Sequence, residues 1–159
     1  MKKVSFLSAA KAVLTLFIFA GILTACSNST SSDDHDHGDA EGFRLKMNGQ
    51  TIVEQLPEQD LTGEFELTLD DPETDLITIY FIDHDGEEFQ PEEDSYSLAY
   101  EFEETGIAEF EQHAEDGKWS FHLHAEAEGI TDLRLMLMHN GHDDLTSQGI
   151  HVHVEASGQ

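Results

Sequence analysis

The chain has 159 residues, with 34 Asp and Glu against 7 Lys and Arg, a formal net charge of −27. A charge of that sign and size repels nucleic acid and anionic lipid surfaces, and so excludes partners recognised through phosphate. One cysteine and ten histidines complete the unusual part of the composition.

The first segment in chain order is a targeting sequence. Met1-Lys2-Lys3 is a basic start, and Ala12 to Ile22 is apolar except for Thr15 and Gly21. This is the pattern of a secretory signal. It ends in Leu23-Thr24-Ala25-Cys26, which resembles a bacterial lipobox. That resemblance implies a signal peptide over residues 1–25, cleavage before Cys26, and acylation of Cys26 with palmitate-type chains. Two or three such chains anchor a protein stably to a membrane. Ser27 follows Cys26, with no Asp there. In Gram-negative lipoproteins such a residue goes with sorting to the outer membrane, so the expected location is extracytoplasmic and lipid-anchored. With Cys26 acylated, no disulfide, thiolate ligand or cysteine nucleophile remains. Lys2, Lys3 and Lys11 leave with the signal, so the mature balance is 4 − 34 = −30. That surface attracts cations, and a coat adapted to high salt has the same composition.

Residues 26–42 read as the lipidated cysteine followed by a polar linker, too poor in apolar residues to fold. Within it, His35 and His37 lie among Asp33, Asp34, Asp36 and Asp39, a composition associated with metal binding.

From Phe43 onward the pattern is one strand after another. Phe43 to Met47 alternates, Asn48-Gly49 is a two-residue hairpin turn, and Thr51 to Val53 returns. Further strands are expected at Gly63–Leu69, Leu76–Ile82, Tyr96–Phe102, Ile107–Phe110, Trp119–His124, Ile130–Met138 and Ile150–Val154. No window has sustained helical periodicity. Short strands at this spacing, over residues 43–157, predict a single all-β domain, a β-sandwich or barrel.

Ile107-Ala108-Glu109-Phe110, Asp116-Gly117-Lys118 and Gly129-Ile130-Thr131-Asp132-Leu133-Arg134-Leu135 follow one another in an order that resembles the second half of bacterial Ig-like (BIG-type) domains. The stretch Met138-His139-Asn140-Gly141-His142-Asp143-Asp144 departs from that pattern, so the resemblance implies the fold, an Ig-like antiparallel β-sandwich of about seven strands plus an N-terminal hairpin, and not a site. The whole chain is also similar to small His-rich bacterial lipoproteins carrying one such domain.

The Ig-like strand order brings the B–C, D–E and F–G loops to one end of the sandwich. The first of these holds His84, the second His113 with Asp116, and the third His139, His142, Asp143 and Asp144. His84, His113, His139 and His142 are therefore the first candidates for an N/O metal site. A second set follows from strand alternation. With Trp119, Phe121 and Leu123 inward, His122 and His124 face out; with Ile150, Val152 and Val154 inward, His151 and His153 face out. The Ig-like order puts these two pairs in different sheets. Met136 and Met138 share an outward face as well. Imidazole with carboxylate suits Zn²⁺; imidazole with thioether suits copper, and Ni²⁺ also accepts imidazole.

These readings converge on a membrane-anchored lipoprotein that binds a transition metal. Zinc is the first expectation, for capture, buffering or hand-over to a transporter or outer-membrane receptor. Ligation needs neutral imidazole, so affinity is expected to fall below about pH 6.5. The alternative is a structural or adhesive Ig-like module. Nothing marks an enzyme: the chain has no Gly-x-Ser-x-Gly elbow and no phosphate-cradling glycine loop.

Overall fold

The computed structural model describes residues 39–158. Cys26, His35 and His37 lie outside them. The described residues form eleven strands and no helix. In chain order these are β1 (Gly42–Met47), β2 (Gln50–Gln55), β3 (Phe65–Thr68), β4 (Ile77–Ile82), β5 (Glu88–Phe89) and β6 (Tyr96–Phe102), followed by β7 (Ala108–Glu111), β8 (Ser120–Ala125), β9 (Gly129–His139), β10 (His142–Thr146) and β11 (Ile150–Glu155).

The strands build the expected Ig-like β-sandwich. Sheet 1 runs β2-β1-β4-β8-β7, with β5 also on β4. Sheet 2 is centred on β9, which takes β6 along one side. On its other side β9 takes β10 and then β11, and β11 carries β3. Strands B, E and D of the Ig-like order are β4, β8 and β7; strands C, F and G are β6, β9 and β11. The N-terminal hairpin β1–β2 stands beside β4, where strand A lies in constant-type domains. Strand β3 instead pairs with β11, in parallel.

The core follows from the alternation. Phe43, Leu45, Ile77, Ile79, Phe81, Phe121 and Leu123 face inward from sheet 1. Leu133, Leu135, Leu137, Ile150, Val152 and Val154 meet them from sheet 2. With no disulfide among the described residues, an aromatic run joins the layers at one point and continues within sheet 1. Tyr100 of β6 stacks on Phe110 of β7 at 4.2 Å, and Phe110 on Phe121 of β8 at 4.4 Å. Trp119 meets Phe81 edge-on at 5.2 Å and donates its indole N–H to the Pro91 carbonyl at 3.1 Å.

Two turns show local chemistry at work. Asn48 (φ 52°) and Gly49 (φ 77°) both take the left-handed region that a two-residue hairpin of this type needs. Asn140 (φ 50°) and Gly141 (φ 85°) do the same between β9 and β10. The expected F–G loop therefore contains a strand of its own: His139 ends β9, a two-residue turn follows, and His142, Asp143 and Asp144 belong to β10, ahead of β11.

Gly63 governs the passage between sheets. Thr62 still exchanges two backbone hydrogen bonds with Glu54 of β2, at 2.8 and 2.9 Å. Two residues after Gly63 the chain joins sheet 2 as β3. Gly63 has φ +91°, and a Cβ there would lie 2.1 Å from the Ile52 carbonyl oxygen. Gly86 has a similar φ of +81° with open space around it. Gly86→Ala is therefore expected to cost about 1 kcal/mol, the backbone penalty alone. Gly63→Ala adds a backbone collision and is expected to cost about 2–3 kcal/mol. Urea denaturation of both variants checks this; equal losses would show that the close approach at Gly63 relaxes freely.

Candidate metal centre

Strand alternation sends the paired histidines outward. On sheet 2, Val152 and Val154 are fully buried, while His151 and His153 stand on the opposite face with Glu155. Parallel pairing sets Glu66 of β3 directly beside His153. The His153 Nδ1 lies 3.1 Å from Glu66 Oε2. Antiparallel pairing on the other side sets Asp132 beside His151, with His151 Nδ1 3.3 Å from Asp132 Oδ1.

Glu66, His153 and Glu155 each offer one ligand atom, and these atoms all lie within 4.8 Å of one another. Ligands held about 2.0–2.2 Å from a tetrahedral zinc stand roughly 3.3–3.6 Å apart. Small side-chain rotations therefore bring the three into a coordination shell. One imidazole and two carboxylates form a donor set that suits zinc. The group is accessible: the His153 side chain is 36% exposed and that of Glu66 58%.

On sheet 1, His122 and His124 stand outside the buried Phe121 and Leu123. Glu111 and Glu109 of β7 pair with them in register. His124 Nδ1 lies 3.0 Å from Glu126 Oε1. The ring centroid of His122 is 5.8 Å from that of His113. The expected split of the two pairs between sheets is what the strand order produces: β8 belongs to sheet 1 and β11 to sheet 2.

The four loop histidines are arranged differently from the expected cluster. His139 and His142 face each other across the β9–β10 turn. His139 stacks on Tyr96 at 4.1 Å and lies 3.4 Å from Asp144 Oδ2. Asp144 falls at the register shift between Asp143 and Leu145. Burial, then the Asp144, Glu93 and Asp39 carboxylates, push the Tyr96 phenol above its ordinary value. His84 contacts its own neighbour, with Nε2 3.2 Å from Asp85 Oδ2. His113 turns onto the outer face of β8 toward His122. Among the described residues, the one group of three with mutually close ligand atoms contains none of these four.

Glu66 and Glu155 are the site residues that sequence reasoning passed over. Glu155 was within reach, because it continues the outward alternation His151, His153, Glu155. Glu66 had no such signal: it lies 87 residues from His153, and only the parallel register joins them.

Two of the cations, both on β1, are engaged elsewhere. On β1, Arg44 contacts Glu54 at 2.8 Å and Glu88 at 2.9 Å, and Lys46 contacts Glu88 at 2.6 Å. The hydrogen bond from Lys46 holds the Glu88 carboxyl below its ordinary value, against the opposing cost of burial and with further help from Arg44. No known protein family matches the chain, and no curated protein matches it in sequence.

The Glu88 shift sets a pH dependence. A carboxyl with a lowered folded value adds stability above its unfolded value, and that stability is lost as pH falls through the folded value. Glu88→Gln is expected to be less stable than the parent at neutral pH. The two should converge in acid, where both side chains are uncharged. Denaturant midpoints across pH check this; a constant gap would show that charge at position 88 is irrelevant.

Proposed function

We propose that this protein is a lipid-anchored extracytoplasmic domain that binds zinc on the outer face of sheet 2, through Glu66, His153 and Glu155. The single observation that carries the reading is the convergence of those three side chains. Cu²⁺ and Ni²⁺ are weaker fits, because the converging oxygens outnumber the imidazole and no thioether is among them. The exposure of the group suits an ion taken up and released, for buffering or transfer to a transporter, more than one locked into a core. The anchor is the acylated Cys26, with the outer membrane as its destination in a Gram-negative cell.

Each half of the reading has its own test. Zinc titration by calorimetry at mildly alkaline pH is expected to detect binding. His153→Ala or Glu155→Gln should weaken it roughly tenfold or more at this site. Heats indistinguishable between the parent and the His153→Ala/Glu155→Gln double variant would reject the site. For the anchor, cells fed labelled palmitate are expected to label the parent protein and not Cys26→Ser. Equal labelling of both would reject lipidation at Cys26.

A further inference from the structure

We infer that the free edge of β7 docks an extended basic segment of a partner protein, added as an antiparallel strand of alternating basic and apolar residues. The site uses neither Glu66, His153 nor Glu155 and needs no zinc, so it goes beyond the metal reading.

Backbone direction comes first. β7 has β8 on one side and, among the described residues, no strand on the other. The Ile107 carbonyl accepts the Glu126 N–H at 2.8 Å. Backbone groups alternate in direction along a strand, so those of Glu109 and Glu111 also turn to β8. The N–H and C=O groups of Ala108 and Phe110 then point away from β8, to the open side. A row of this kind is a template for an added strand.

The side chains of the same two residues help build an apolar seat. Phe121 is fully buried, Phe110 is 7% exposed and Tyr100 46%. Their rings stack in that order, so the stack runs from the core to solvent and ends at Tyr100. Tyr100, Phe102, Ala108 and Phe110 line a cleft of about 330 Å³. Ligand clefts span about 300–1,000 Å³. This one stands at the small end of that range and suits the inward side chain of a docked strand.

Charge selects the occupant. Glu109 and Glu126 line the same cleft. Glu111 follows Glu109 on the solvent side of β7. The nearby cationic partners of these carboxylates are histidines: His113 is 3.8 Å from Glu111, and His124 3.0 Å from Glu126. An antiparallel strand sets one residue opposite Glu109 and another opposite Glu111, both on the solvent side. Lys or Arg at those places forms cross-strand pairs. The residue between them faces inward, beside Phe110 and the cleft. β1 shows this chemistry within the domain. Its Arg44 stands opposite Glu54 of β2 and contacts it at 2.8 Å, while Phe43 and Leu45 on either side are buried.

The test uses the full chain in chelator and the end-blocked synthetic peptide Thr-Arg-Leu-Arg-Val-Thr. Binding is read from backbone amide signals in ¹H–¹⁵N correlation spectra. Saturable shifts are expected at Ala108 and Phe110, with the β11 amides unmoved. Glu109→Gln with Glu111→Gln leaves the core intact and should weaken binding roughly threefold or more. N-methylation of the peptide Leu removes the donor that faces the Phe110 carbonyl and should abolish binding. The Thr-Glu-Leu-Glu-Val-Thr peptide should not bind. Absence of saturable shifts at Ala108 and Phe110 overturns the inference. So do equal titrations of parent and double variant, or equal binding of the N-methylated peptide, which would mean charge attraction without a ladder. Zinc is absent throughout, so failure of the Glu66, His153 and Glu155 site leaves these readouts unchanged.

Discussion

Four residues of β3 run parallel to β11, and this short ladder joins segments 87 residues apart in the chain. It depends on the passage at Gly63, where the chain leaves the edge of sheet 1 and enters the edge of sheet 2 with no room for a side chain. The parallel ladder decides which outward residues become neighbours. Val152 and Val154 pair with Phe65 and Leu67 on the core side, and the same register sets His153 beside Glu66 on the solvent side. Burial of one face thus positions the chemistry of the other, since a one-residue slip would exchange the two.

The strand pattern was readable because nearly every core strand alternates cleanly. Trp119 to His124 and Ile150 to Val154 state which side faces inward, and their histidines followed directly. Spacing and turn residues made a β-sandwich or barrel readable, and the resemblance of residues 107–135 supplied the Ig-like order. Less accessible was any relation set by a neighbouring strand. β10 is an edge strand with a register shift and only Leu145 as an apolar marker, so His142 to Asp144 read as loop. His113 lies in the β7–β8 connection, where its carbonyl accepts a hydrogen bond from Asp116 and its ring stands near His122 and not near the other loop histidines. Contacts of this kind depend on hydrogen-bond geometry that residue types do not reveal.

Charge is distributed with the same economy. Arg44 and Lys46 occupy one strand and are held by Glu54 and Glu88. Lys118 binds the carbonyls of Glu92 and Glu93 and lies over Trp119 at 5.0 Å. The imidazoles on both outer faces are therefore contacted chiefly by carboxylates.

The free edges of the sandwich carry the same residues to a different end. β7 closes one side of sheet 1 and β6 one side of sheet 2, and each leaves a row of backbone donors and acceptors without a strand beside it. Such rows invite another chain to add on. Glu109 and Glu111 stand on the first edge and Glu101 on the second. Two copies approaching edge to edge would bring carboxylate against carboxylate at close range, so the domain can keep long exposed edges and still resist polymerising through them.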